Sequence, residues 1–126
     1  ALSSAASDVY KRQELTIFLA PDAPRRAGVG RRLYEALLPF LARQGFRQVL
    51  AVITSTNEAS LALHRAFGFA EAARLTSSGY KHGQWLTSVW MVKQLNDFDP
   101  SPAPITPFRE CRAEMEARLA ALNAEA

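Results

Sequence analysis

The chain has one cysteine, Cys111, so it can form neither an internal disulfide nor a cysteine-based metal site. Cysteine poverty without a signal peptide is the pattern of a reducing compartment, and a cytoplasmic location is expected. No run of about 18 apolar residues occurs, which excludes a membrane-spanning helix. Charge of one sign is also scarce: 15 Lys and Arg stand against 12 Asp and Glu, for a net charge of +3. The basic residues scatter, apart from Arg25, Arg26, Arg31 and Arg32. That cluster suits a small polyanion; a nucleic-acid duplex would call for a broader basic face and a reader motif, so no nucleic-acid partner is expected. Only six glycines are present, yet two of them fall in RRAGVG, residues 25–30, between an apolar run and a helical pattern. Glycines at such a junction let backbone approach a neighbour closely.

With 126 residues, 48% of them apolar and 21% charged, the chain fits one globular domain with a single core. Residues 1–13, ALSSAASDVYKRQ, differ in composition from the rest of the chain and have no periodicity. They read as a non-native or disordered stretch, similar to a translated adaptor at the end of a metagenomic reading frame, with the native chain starting near Glu14. Residues 14–20, ELTIFLA, read as a buried strand that stops at Pro21. Residues 29–44 place Leu33, Leu37, Leu38 and Leu41 on one helical stripe, closed by Gly45 and interrupted by Pro39. A second buried strand, FRQVLAVIT, covers residues 46–54. Asn57 then caps a short helix with Leu61, Leu63, Ala66 and Phe67 on or near its apolar side, closed by Gly68. Two strands come next, at about 69–80 and 85–95, with Lys81 to Gln84 as the turn. A proline-rich arm runs from Asp97 to Pro107, and an amphipathic helix over 108–123 offers Phe108, Met115, Leu119 and Leu122 for packing. This order implies an α/β sheet in which adjacent strands can be parallel, with a hairpin at the far edge.

Neither common phosphate-binding motif fits the glycine pair. A dinucleotide fingerprint wants a third glycine where Leu33 stands, and a nucleotide P-loop wants Lys then Ser or Thr where Arg31 and Arg32 stand. What survives is R-x-x-G-x-G, whose successive backbone N–H groups and helix N-terminus can converge on one or two phosphates with arginine support. A glycine turn with solvated arginines is the plainer alternative.

That loop, together with Asn57, Ser60, Leu63, His64, Gly68 and Phe69 in NEASLALHRAFGF, resembles the GCN5-related N-acetyltransferase (GNAT) family. GFRQVLAVI, GYKHGQW and the proline-rich tail extend the likeness, from Glu14 to about Pro107, to the phosphinothricin and methionine sulfone N-acetyltransferase branch. PDAPRRAGVG departs from that branch by one extra residue between strand and loop. The resemblance implies a GNAT-like mixed central β-sheet flanked by helices, lacking the family's N-terminal strands and helices. On that reading, residues 14–96 form the C-terminal portion of the catalytic domain, and residues 97–126 an arm and helix suited to a homodimer contact. A sheet edge left exposed in this way predicts poor solubility or oligomerisation.

The resemblance further implies acetyl-CoA as donor and a small amine, an amino acid or analogue, as acceptor. It carries the pyrophosphate site onto Arg25, Arg26, Ala27, Gly28, Val29 and Gly30, and the pantetheine contacts onto Asn57 and the backbone of Ile17, Phe18 and Leu19. Acetyl transfer to an amine needs a neutral amine, a stabilised oxyanion and a proton for the departing thiolate. Glu14 occupies the branch's catalytic glutamate position; a solvated strand-end glutamate is the alternative. His64 occupies a position for an acid or base, and its alternative is a packing histidine. Tyr80, Lys81 and Trp85 are candidate acceptor contacts, or else cross-strand packing beside a turn. Arg31 and Arg32 could reach the adenosine 3′-phosphate, or belong to a solvated first helical turn.

Overall fold

A computed structural model describes residues 11–15 and 28–124. Its elements run β1 (Arg12–Glu14), α1 (Val29–Gln44), β2 (Gln48–Thr54), α2 (Glu58–Ala66), β3 (Ala70–Lys81), β4 (Gln84–Gln94) and α3 (Phe108–Ala124). The four strands form one mixed sheet in the order β1-β2-β4-β3. β1 and β2 are parallel, as the expected strand–helix–strand unit requires, with Glu14 opposite Leu50. β1 takes in Arg12 and Gln13, so the last two residues of the stretch that reads as non-native pair with β2 whatever their origin. Leu15 extends the ladder by donating its N–H to the Leu50 carbonyl at 2.9 Å. Residues 16–20 of the expected strand lie outside the described residues.

Alternation sets the faces of the sheet. Val49, Ala51 and Ile53 of β2 and Val89 and Met91 of β4 point to one side, where they are buried against Tyr34, Leu38 and Leu41 of α1 and Leu61 of α2. The opposite face carries Leu50, Val52, Trp90 and Val92, each half-buried or exposed; Val52 faces Trp90 and Leu50 faces Val92 across the ladder. β3 is the outer edge, and its register shifts between Glu71 and Ala73 and between Leu75 and Gly79. Such irregularities blunt an edge that would otherwise template a further strand.

Both expected glycine stops are present. Gly45, at φ +100°, donates its N–H to the Ala42 carbonyl while Phe46 donates to Leu41, which closes α1 through left-handed backbone. Phe46 therefore serves the cap, Arg47 bonds to Lys11 and Leu95, and β2 begins at Gln48, two residues later than the apolar run suggests. The buried stripe of α1 differs from the expected one: Tyr34, Leu38 and Leu41 face the sheet, while Leu33 and Leu37 are half-buried. Phe40, with Leu37 beside it, packs instead on Cys111 and Met115 of α3, because α1 is sandwiched between the sheet and that helix. Of the residues expected to pack α3, only Met115 is buried; Phe108 meets Phe40 edge-on at 5.7 Å, and Leu119 is exposed. On α2 the second buried residue is His64, one turn from Leu61, and Ala66 is exposed.

Candidate functional site

The amino end of α1 and the carboxyl end of β2 define one end of the molecule. Gly28 precedes α1 in left-handed backbone at φ +79°, and a Cβ built there would meet nothing within 4 Å. Among the described residues no side chain caps the helix, and its first turn carries no acidic residue. The first helical bond is donated by Arg32 to the Gly28 carbonyl at 3.0 Å, so the N–H groups of Val29, Gly30 and Arg31 have no acceptor within the helix. Three convergent donors at the positive end of a 16-residue helix favour negative charge there. Gly30 has a different duty. Its Cβ would stand 3.1 Å from Leu63 Cδ2, so the missing side chain is what lets α2 lie against the first turn of α1. Arg31 lies over the Phe67 ring at 5.5 Å and ties the same two helices together at the surface.

Asn57 caps α2 as expected: its Oδ1 accepts from the Ser60 N–H at 3.2 Å, and the residue is exposed. The hairpin tip overhangs the same end. Thr54, the last residue of β2, pairs with Ser88, so Gln84 to Thr87 project beyond the ladder by roughly 10 Å. His82 and Gly83 both take positive φ, the signature of a two-residue turn between Lys81 and Gln84. Tyr80 and Trp85 face each other across it with ring centroids 5.2 Å apart, and remain 63% and 66% exposed. They are thus an edge-to-face cross-strand pair that also presents an aromatic surface. Glu14 is half-buried midway along β2, four residues below Thr54 on the parallel ladder. Ile17, Phe18, Leu19, Arg25, Arg26 and Ala27 lie outside the described residues.

His64 is drawn into the core, where 5% of its surface is exposed. Its Nδ1 lies 2.7 Å from the Ser60 carbonyl, which can only accept, so Nδ1 carries the proton. Nε2 is then an acceptor, and the Tyr34 hydroxyl donates to it. Burial lowers the His64 pKa, opposed in part by the Ser60 hydrogen bond, and burial pushes the Tyr34 pKa up to about 12. Both groups are thereby held neutral, joined edge-on with centroids 5.1 Å apart among Phe67 and Phe69. Sequence reasoning misses Tyr34, since nothing local marks an α1 tyrosine as the partner of a histidine 30 residues on. Among the described residues no group of three or more His, Cys, Asp or Glu could hold a metal, and no helix is long and apolar enough to cross a membrane.

Comparison with known proteins agrees with this geometry. Residues 4–90 match the family model for the acetyltransferase (GNAT) domain. The chain belongs to the GNAT acetyltransferase family. Among its GNAT relatives, a phosphinothricin N-acetyltransferase of Streptomyces viridochromogenes is 41% identical over 68% of this chain and 44% of its own length. An L-methionine sulfoximine/L-methionine sulfone acetyltransferase of Pseudomonas aeruginosa is 39% identical over 64% of this chain and 45% of its own. The crystal structure of a phosphinothricin acetyltransferase from Sinorhizobium meliloti in complex with acetyl-CoA superposes with a TM-score of 0.72 at 34% identity. That alignment covers 81% of this chain and 56% of the other. The chain thus spans about half the length of the curated relatives it matches.

Proposed function

We propose that this chain is an acetyl-CoA-dependent N-acetyltransferase domain acting on the amine of a free amino acid or an analogue of the phosphinothricin or methionine sulfone type. The observation that carries the reading is the uncapped, acid-free α1 N-terminus behind left-handed Gly28, in a chain of GNAT sequence. The N–H groups of Val29, Gly30 and Arg31, with Arg25, Arg26 and Ala27 before them, would hold the pyrophosphate of acetyl-CoA. Asn57 Nδ2 and the backbone of Ile17, Phe18 and Leu19 would hold its pantetheine arm. Bound there, acetyl-CoA supplies the thioester that the amine attacks directly. Glu14, half-buried and reachable by water, takes the ammonium proton. The departing thiolate takes its proton from solvent, since the one proton of His64 faces the Ser60 carbonyl and its Nε2 accepts from the Tyr34 hydroxyl, and Tyr80, Lys81 and Trp85 at the overhanging hairpin contact the acceptor. The exposed Leu119 on α3 fits the homodimer contact suggested for the C-terminal segment, which sedimentation would test.

A second reading is favoured by one observation: both ring nitrogens of His64 are engaged and the ring is buried, which suits a non-catalytic acyl-CoA-binding module. Calorimetric titration with acetyl-CoA, followed by a thiol-release assay with phosphinothricin and methionine sulfone, separates the two. The enzyme reading expects binding and release, with Glu14→Gln lowering kcat by about a hundredfold or more and acetyl-CoA affinity by little. Binding without release supports the module. Absence of binding refutes both.

A further inference from the structure

β2 is apolar on both faces. Val49, Ala51 and Ile53 point into the core, and the alternate positions, Leu50 and Val52, are apolar as well. A strand with one face in water alternates apolar with polar residues, whereas an unbroken run such as VLAVI is the pattern of a strand covered on both sides. β4 repeats the pattern, with Trp90 facing Val52 and Val92 facing Leu50, and β3 continues the band, with Ala73 opposite Trp90. Val52 is 39% exposed all the same. Among the described residues no helix covers this face: α1 and α2 lie on the other side of the sheet, and α3 packs on α1.

The chemistry of the face narrows what fits it. Trp90 Nε1 donates to Ser88 Oγ at 3.2 Å, and that hydroxyl lies 3.0 Å from Ser78 Oγ. The single donor of the indole is thus spent within the sheet, and what the ring offers a partner is hydrocarbon. Level with the apolar band the face carries two charges of opposite sign, Arg12 and Glu14, both on β1. Glu71 and Arg74 of β3 pair with Met91 and Val89 and so lie toward the helix side. A face that is apolar in the middle and electrically balanced at its rim selects neither a nucleic acid nor a peptide of one charge. It does match itself, because two copies bring equal apolar bands together without net repulsion, and sheets stacked face to face about 10 Å apart are a stable arrangement. With four strands about 4.8 Å apart and seven residues of about 3.3 Å along β2, the face measures roughly 20 by 20 Å in projection. Two such faces, with side-chain relief, bury on the order of 1,000 Å², the class of a weak dimer that dissociates on dilution.

We propose that the open face of the sheet is a contact between two copies of this chain, packed sheet on sheet across Val52 and Trp90. It is distinct from the contact suggested for Leu119, since α3 lies beyond α1 on the other side of the sheet. The proposal stands whether or not the chain binds acetyl-CoA.

The chain has two tryptophans, so Trp85→Phe leaves Trp90 as a reporter in the middle of the contact. Sedimentation velocity and Trp90 emission are followed on this protein over a concentration series, with the parent chain sedimented alongside. The expected result is one transition from monomer to dimer, in which Trp90 emission moves to shorter wavelength and quenching by acrylamide falls. Val52→Arg in the same background, checked by circular dichroism for an unchanged fold, places a charge at the centre of the contact and should raise the dimer Kd by about a hundredfold or more. Leu119→Arg should leave the transition where it is. Monomers at every concentration, with Trp90 emission constant, overturn the proposal, and the face would then take a different partner. So does a dimer that forms with Trp90 emission unchanged, or one that Leu119→Arg abolishes and Val52→Arg does not, since another surface would then hold the copies together.

Discussion

Replacing Tyr34 with Phe removes one hydroxyl and no packing volume, which makes it a clean probe of the junction between the two helices that carry the candidate cofactor site. The ring keeps its contacts with Phe67 and Phe69, at centroid distances of 5.4 and 5.7 Å, so no cavity forms. What changes is His64 Nε2, which loses its donor while remaining buried. A buried acceptor left unsatisfied costs about 1–3 kcal/mol. For a chain of this size, about 1 kcal/mol moves Tm by roughly 4 °C, so Tyr34→Phe should lower Tm by roughly 4–12 °C. His64→Leu should cost about as much, because it strands the tyrosine hydroxyl in turn. The combination removes both polar partners and is expected to be at least about 1 kcal/mol more stable than the sum of the two single changes predicts. Urea and thermal unfolding of the four proteins, read by circular dichroism, measure that coupling. Single changes that simply add, or a Tyr34→Phe protein within about 0.5 kcal/mol of the parent, would refute the buried pair as a stabilising unit.

The same histidine sets a pH dependence. Burial lowers the folded-state His64 pKa below its ordinary 6.5, so between those two values the unfolded chain binds the extra proton. Stability should therefore be full above about pH 7 and fall as pH drops through 6.5 toward the folded value, and His64→Leu should flatten that slope in Tm measured across the range. Pro39 is exposed inside α1 and denies the Glu35 carbonyl its helical donor, so Pro39→Ala should raise stability by about 2 kcal/mol in urea unfolding, after allowing for the greater freedom it gives the unfolded chain. No gain would mean that the local backbone already satisfies that carbonyl.

The parts of the fold written in short-range signals are legible in the sequence. Gly45 and Gly68 end their helices, Asn57 caps α2, and the hairpin turns at His82 and Gly83, because each outcome depends on two to four neighbouring residues. The buried faces are less legible. A leucine stripe on α1 suggests Leu33 and Leu37, yet Tyr34 takes the central place because its one polar atom finds His64. His64 reads as a candidate acid for its place in NEASLALHRAFGF; its burial depends on a tyrosine that only the packing of α1 on α2 brings near. Gly30, which reads as room for a phosphate, also makes room for Leu63, a contact between helices that no local pattern announces.

These long-range contacts bear on how binding and turnover are divided. The candidate anion-binding end of α1 and the Asn57 cap of α2 are held together by Gly30 against Leu63, Arg31 against Phe67, and Tyr34 against His64, all within residues 28–67. That stretch is packed as one unit on β2 and β4, which holds the candidate donors at the start of α1 in place relative to Asn57. Glu14 depends on something else: the β1 strand, which pairs in parallel with the first half of β2. Cofactor affinity should therefore track the α1–α2 seam, and turnover should track the β1 strand. Tyr34→Phe and Glu14→Gln separate the two: the first is expected to weaken acetyl-CoA binding in proportion to the loosened seam, the second to leave binding in place and remove thiol release. If Tyr34→Phe left affinity unchanged while lowering stability, the seam would be a folding contact alone, and the anion site would be set by the α1 terminus by itself.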